Sequence, residues 1–266
     1  YCLRKNNQII SLLGIVNQTQ NNSFTKQGMG IICSKNKFGI IDILKNFLKR
    51  RYSILVAIGL TKEVMPIYNH FKFKTGELNM YYISNPNMKN NTISKNLIKI
   101  NLNKIKLNSA QSLDISCILN FTKKKDYKYI LWRFINHPVY KYKFLMSDDK
   151  KLKIIYRDIV IKKHKIIRIV DFFGSFEHQE QFIKSLLKFC IVYKYNHIEM
   201  LHFGYEDKFI KKTIFKKKYE KEKLPYYVEP FDNLKKQSIY FAYKSKLKGK
   251  IKIVRADADA DRPNKI

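Results

Sequence analysis

One pattern occurs twice in this chain, and it constrains the fold more than any single residue does. Tyr52-Ser53-Ile54-Leu55-Val56-Ala57-Ile58-Gly59 is followed by Glu63-Val64-Met65-Pro66-Ile67-Tyr68-Asn69-His70-Phe71-Lys72-Phe73. Asn196-His197-Ile198-Glu199-Met200-Leu201-His202-Phe203-Gly204 is followed by Lys208-Phe209-Ile210-Lys211-Lys212-Thr213-Ile214-Phe215. Each statement reads as a strand, a glycine turn, a short amphipathic helix and an aromatic stop, with Ile54 matched to Ile198. An internal repeat fixes architecture first, because each copy is one structural unit.

The periodicity around each copy extends the unit. Residues 9–16 and 28–33 read as strands separated by a polar loop at 17–27. After a second loop at 34–39, residues 40–51 read as a helix with Ile40, Ile43, Leu44, Phe47 and Leu48 on one face. A strand at 53–58, a helix at 62–71 and a closing strand at 78–83 follow. The second half repeats this order: strands at 152–160 and 166–173, a helix at 179–193 with Phe182, Leu186, Leu187 and Cys190 inward, a strand at 198–203, a helix at 208–215 and a late strand at 239–243. Between the halves, 98–107 reads as a strand and 112–121 and 127–136 as helices, with Pro138 ending the last. The expected fold is α/β (α+β), with two units, each a mixed and mostly antiparallel sheet flanked by helices. The division expected is 1–84 for the first unit, 85–126 for linker and connecting elements, 127–254 for the second unit and 255–266 for an Asp-rich tail. The first unit shows no counterpart to the helix at 127–136, so an opening helix is expected to lie outside the chain as given.

Composition decides between partners. The net charge of +32 invites a nucleic-acid reading, but the basic residues are 45 Lys and 8 Arg. Reading base edges favours the planar fork of Arg, so nucleic acid is disfavoured. Point charges of this kind suit a phosphate-bearing cofactor, an acidic glycan or a peripheral membrane contact. Cys2, Cys33, Cys117 and Cys190 include no C-x-x-C pair, which points to reduced, buried thiols and a cytoplasmic protein. No apolar run is long enough to span a bilayer as a helix, and no signal peptide is evident.

The order strand, glycine loop, helix, strand, aromatic-bearing helix, strand resembles the GNAT superfamily of acyl-CoA-dependent acyltransferases. The best local match is Ala57-Ile58-Gly59 through Pro66-Ile67-Tyr68-Asn69-His70-Phe71-Lys72-Phe73. Two such units resemble tandem GNAT proteins. Three further segments resemble the group found with surface-polysaccharide biosynthesis: Trp132-Arg133-Phe134-Ile135-Asn136-His137-Pro138-Val139-Tyr140, Leu224-Pro225-Tyr226-Tyr227-Val228-Glu229-Pro230-Phe231, and the tail Asp257-Ala258-Asp259-Ala260-Asp261-Arg262-Pro263-Asn264. The resemblance implies acetyl-CoA or another acyl-CoA as substrate, a sugar or glycan acceptor and no metal. It implies a pyrophosphate site at a helix N-terminus, where orphan N–H groups and the dipole attract anions. The matching stretch is Lys35, Asn36, Lys37, Phe38, Gly39, Ile40 and Ile41. Asn36 stands where the family has a basic residue and Ile41 where it has a small one. Tyr68 matches the tyrosine that protonates the leaving thiolate. The second half has Gly174-Ser175-Phe176-Glu177-His178 and Thr213 or Ile214 at these places, which puts the site in the first unit. A Fem-type transferase using charged tRNA and a non-catalytic GNAT-like scaffold are the alternatives.

Other residues carry less. His197 and His202 fall on opposite faces of one strand and form no metal pair. His137 reads as a turn cap or a substrate contact, and Trp132 with Arg133 as a brace between the halves. The alternation Asp257, Asp259, Asp261 lacks the glycine and glutamate of a calcium loop, so a tail docked on basic surface is expected.

Overall fold

The computed structural model describes residues 1–20, 25–34, 37–88, 125–161, 164–218 and 238–258. The expected strand at 98–107, the helix at 112–121, the segment at 224–231 and the residues Asp259, Asp261 and Arg262 lie outside that set. The chain forms two compact units, Tyr1–Leu78 with Lys124–Ile130 and Ser238–Arg262, and Asn79–Lys123 with Leu131–Gln237 and Pro263–Ile266.

The first sheet has the order β1 (Cys2–Lys5), β2 (Gln8–Gln20), β3 (Thr25–Ser34), β4 (Ile54–Leu60), β12 (Tyr240–Ser245), β5 (Lys74–Glu77). Helix α1 (Lys37–Phe47) crosses over from β3 to β4, and α2 (Met65–His70) leads from β4 to β5. All neighbours are antiparallel except β3 and β4. Ile43, Leu44 and Phe47 of α1 bury with Leu13, Met29, Leu55, Ala57, Tyr68, Phe73 and Ala242, and Ile40 and Leu48 pack against them. Burying each large apolar side chain contributes about 1.5–3 kcal/mol.

The second sheet repeats this order as β7 (Lys143–Met146), β8 (Leu152–Ile161), β9 (His164–Gly174), β10 (His197–Phe203), β6 (Asn79–Ser84), β11 (Lys216–Lys217). Here β9 and β10 are the parallel pair. Helix α4 (Glu180–Val192) crosses over between them, and α5 (Asp207–Lys211) follows β10. The inward residues of α4 are Ile183, Leu186, Leu187 and Cys190. Ile183 replaces the expected Phe182, since 183, 186, 187 and 190 keep the helical stripe.

Two strands are exchanged relative to the sequence reading. The strand near 78–83, expected to close the first sheet, is β6 in the second, and the one near 239–243 is β12 in the first. Only Leu78 separates β5 from β6. A hairpin needs at least about two loop residues, so β6 cannot fold back beside β5. Instead β12 pairs with both β4 and β5.

The expected loop at 17–27 is also corrected. β2 and β3 continue as a hairpin to Gln20 and from Thr25, with Asn17 opposite Gln27 and Thr19 opposite Lys26. The expected helix at 127–136 divides into α3 (Tyr127–Ile130) in the first unit and a π-helical turn, Leu131–Ile135, in the second.

The polar residues of the first hairpin are held by the tail. Asp257 ends a 3₁₀ turn, Arg255–Asp257, and is fully buried. Its Oδ1 takes ion pairs from Lys26 Nζ at 2.8 Å and Lys125 Nζ at 2.9 Å. Its Oδ2 accepts from Val254 N–H at 3.0 Å, and its carbonyl accepts from Gln18 Nε2 at 2.5 Å. A Cβ on Gly28 would collide with that same carbonyl, so only glycine lets the turn lie this close to β3. Burial pushes the Asp257 carboxyl up, but Lys125 and Lys26 overcome it and hold the group below the usual carboxylate range. The expected docking on basic surface is corrected at Asp257, which is buried together with Lys26 and Lys125. Cys2 is exposed, against expectation, while Cys190 is buried and its thiol is raised to about 12 by desolvation. Among the described residues no helix is long and apolar enough to cross a membrane.

Candidate functional site

The site follows from where two parallel strands stop pairing. β3 and β4 pair from Lys26↔Ile54 to Met29↔Ala57 and no further, although both strands continue. Past that point their facing edges diverge. Each carries a glycine there: Gly30 immediately after Met29, and Gly59 two residues after Ala57. A Cβ on either would meet nothing within 4 Å. Gly59 has φ +84 and occupies a bulge, since Ile58 pairs with Phe241 and Leu60 with Tyr240. The bulge breaks the ladder at this spot.

Tyr68 is on α2, the helix that follows β4. It is buried in the cluster that holds Met29 and Ala57, the last parallel pair, and its ring meets Phe73 edge-on at 5.2 Å. Desolvation raises its phenol to about 12, so it stays protonated at any ordinary pH. Pro66 starts α2, and Phe73 N–H closes the helix on Tyr68 O at 3.0 Å. A rigid six-residue helix thus fixes the phenol.

The stretch expected to hold pyrophosphate lies at the start of α1. Lys35 and Asn36 are outside the described residues. Helix α1 begins at Lys37, so Lys37, Phe38, Gly39, Ile40 and Ile41 are helical rather than part of a preceding loop. Gly39 is buried, Ile40 packs on the core and Ile41 is half-buried. The stretch expected to bind pyrophosphate is therefore the first turn of a helix, and not a loop before one.

The second unit has the same divergence with different contents. β9 and β10 pair from Ile166↔His197 to Ile169↔Met200. Matching the units by buried face corrects the sequence alignment. Leu55 and Ala57 face α1, so Ile54 faces away from it. Ile198 and Met200 share the face of Tyr156, whose ring meets Phe189 of α4 at 6.4 Å. Ile54 and Ile198 are therefore on opposite faces, because a slip of one residue inverts a strand. By face, Leu55 corresponds to Ile198, Ala57 to Met200 and Gly59 to His202.

His202 fills the place that Gly59 leaves open. It is fully buried, stacked on Tyr81 at 5.1 Å and met edge-on by Tyr205 at 5.6 Å and Phe172 at 6.3 Å. A bulge in β9, where Ile155 pairs with Asp171 but Tyr156 with Ile169, turns Phe172 to this face. Neither ring nitrogen has a hydrogen-bond partner among the described residues, and desolvation lowers the imidazole to about 4. His197 lies on the other face with Glu199, whose Oε1 accepts from Arg168 Nε at 2.6 Å. Thr213, expected at the tyrosine position, lies past the end of α5 and donates to Ile210 O at 2.6 Å. His137 is a turn cap: its Nδ1 accepts from Val139 N–H at 3.2 Å and Tyr140 N–H at 3.0 Å. Trp132 is half exposed, unlike the expected brace, while Arg133 is buried.

Sequence reasoning missed Gly30, the contrast of Gly59 with His202, and Asp257 as a buried hub. The two glycines were visible only as strand and turn residues. Their empty surroundings depend on strand register.

No protein-family model matches the chain, and no curated protein is similar to it. Among solved structures it is similar to a GCN5-related N-acetyltransferase from Anabaena variabilis, with 12% identity, TM-score 0.47, and 92% of this chain and 62% of that one covered. It is similar to a protein assigned as an acetyltransferase from Pyrococcus horikoshii, with 11% identity, TM-score 0.48, and 91% and 72% covered. It is also similar to a conserved Enterococcus faecalis protein of unknown function assigned as an N-acyltransferase, with 14% identity, TM-score 0.49, and 90% and 59% covered. The chain thus spans about three fifths of two of these proteins and 72% of the third.

Proposed function

We propose that the protein is an acyl-CoA-dependent N- or O-acyltransferase of the GNAT type with one active site, in the first unit, and that its acceptor is an amino sugar or glycan precursor of surface-polysaccharide biosynthesis. The carrying observation is the opening between β3 and β4 past Met29↔Ala57, where Gly30 and Gly59 follow, with Tyr68 in the buried cluster that holds this last pair. Diverging strand edges present unpaired N–H and C=O groups, which suit an extended, amide-bearing thioester arm. In this reading the pyrophosphate goes to the N-terminus of α1, where the helix dipole favours an anion, and Lys35 and Lys37 supply charge.

In this reading the acceptor's amine or hydroxyl attacks the thioester carbonyl carbon. A strand N–H stabilises the oxyanion as it develops. The C–S bond then breaks, the thiolate takes the phenolic proton of Tyr68, and the proton of the nucleophile leaves to solvent. Tyr68 recovers its proton from water.

Calorimetric titration with acetyl-CoA and longer acyl-CoAs tests the binding half. Heat and a thermal shift are expected, and the absence of both with every acyl-CoA would sink the reading in favour of a non-catalytic scaffold. Tyr68→Phe tests the chemical half. It is expected to lower kcat by roughly 10²–10⁴-fold and to leave acyl-CoA binding unchanged.

A further inference from the structure

Each parallel strand pair is pinned by a buried ion pair on the face away from its crossover helix, but the two pins are built differently. In the second unit Arg168 of β9 stands opposite Glu199 of β10, the third residue pair of the ladder. Arg168 Nε donates to Glu199 Oε1 at 2.6 Å, with both side chains buried. That pin runs from strand to strand. The third pair of the first unit is Gly28↔Val56, which carries no charge. Its neighbours Met29 and Ala57 bury with α1, so Gly28 and Val56 face the other way. The cation of this unit is Lys26, two residues earlier on the same strand. Its carboxylate is Asp257, 231 residues further along the chain.

The turn Arg255–Asp257 holds β3 along its paired stretch. Lys26 is the first residue of β3 to pair with β4, and Gly28 the last but one. The turn engages both. Asp257 Oδ1 takes the Lys26 ammonium at 2.8 Å, and the Asp257 carbonyl lies where a Cβ on Gly28 would stand. The turn is itself held. Gln18 Nε2 donates to Asp257 O at 2.5 Å, Tyr129 of α3 donates through its hydroxyl to Ala256 O at 2.9 Å, and Val254 N–H donates to Asp257 Oδ2 at 3.0 Å. Gly30 lies two residues past Gly28 on the same face, and a Cβ there would meet nothing within 4 Å among the described residues. The turn's contact with β3 therefore stops where the pairing of β3 with β4 stops.

We propose that Asp257 is a positioning residue for acyl-CoA. Through Lys26 and Gly28 the turn fixes the point at which β3 leaves β4, and so the shape of the opening that receives the thioester arm. This inference rests on the acyltransferase reading. Asp257 touches no reacting atom. Without its carboxylate the Lys26 and Lys125 ammonium groups repel each other, and the turn loses its hold on β3.

A double-mutant cycle on the full chain tests this, with the Kd of acetyl-CoA read by calorimetry below each thermal transition, so that every variant is measured folded. Asp257→Asn keeps the carbonyl over Gly28 and removes the charge. Gly28→Ala keeps every charge and pushes the turn off β3. Each is expected to weaken acetyl-CoA binding roughly tenfold. The double variant is expected to bind no worse than the weaker single one, because both changes release the same contact. Far-ultraviolet circular dichroism establishes folding, and Gly28→Ala decides the matter alone if Asp257→Asn does not fold. Lowered thermal transitions with unchanged Kd values overturn the proposal, since the turn then only stabilises the unit. Losses that multiply in the double variant also overturn it, because the two residues then act separately. No heat with the unaltered chain overturns the acyltransferase reading itself, and this inference with it.

Discussion

The two parallel strand pairs part after the same number of residues, yet one opening is empty and the other is filled. Past Met29↔Ala57 the first unit has Gly30 and Gly59 with open space beside them. Past Ile169↔Met200 the second has His202 inside Tyr81, Tyr205 and Phe172. The backbone plan is shared, so the difference lies in a few side chains. Divergence of the strands makes a slot, and the residue at one position decides whether the slot is a site or part of a core. The filled slot has a cost, since its imidazole is buried without hydrogen-bond partners among the described residues.

The largest effect should separate the units by what holds them. Asp257→Asn removes the carboxylate from between the Lys26 and Lys125 ammonium groups in the first unit. A loss of about 3–5 kcal/mol is expected. Urea unfolding read by amide exchange should show protection lost first in β2 and β3, before β9 and β10. Equal loss in both sheets would mean that the hub is not local to the first.

The next effect is confined to the second unit and depends on pH. His202 titrates near 6.5 when unfolded and at about 4 when folded. The unfolded chain binds the proton first as pH falls. The stability is therefore complete above about pH 6.5 and is lost progressively toward pH 4, on the order of 3 kcal/mol in all. His202→Phe, which keeps a ring on Tyr81, should flatten that part of the stability–pH curve. An unchanged curve would show that another group titrates there.

The smallest effect tests the empty slot. Gly59→Ala should cost about 1–2 kcal/mol through its positive φ rather than through a clash. Gly59→Val should in addition weaken acyl-CoA binding in the calorimeter, whereas His202→Phe should not. Loss of acyl-CoA binding in His202→Phe alone would move the site to the second unit.

Much of this arrangement is legible in the sequence, for physical reasons. Ile43, Leu44 and Phe47 keep the helical period, so α1 and its buried face follow directly. Ile54 to Ile58 and Ile198 to Phe203 are apolar nearly throughout, so strands are plain but their faces are not. That is why the repeat aligns one residue out of register. Gln18 and Lys26 read as loop because their partner Asp257 is far along the chain. Tyr68 is legible as a candidate from its helix, but its closeness to the last parallel pair is a tertiary fact. The exchange of β6 and β12 has one local trace, the single residue Leu78 after β5, which leaves no room for a hairpin.

That exchange sets a schedule for biosynthesis. β4 leaves the ribosome well before its neighbour β12, because the chain from Leu60 to Tyr240 is made in between. At about 5–20 residues per second, the edges of β4 and β5 wait on the order of ten seconds or more for the strand that lies between them. The nascent chain therefore carries an unfinished sheet throughout that interval, and chaperone demand should track the delay between Leu60 and Tyr240 rather than the size of either unit.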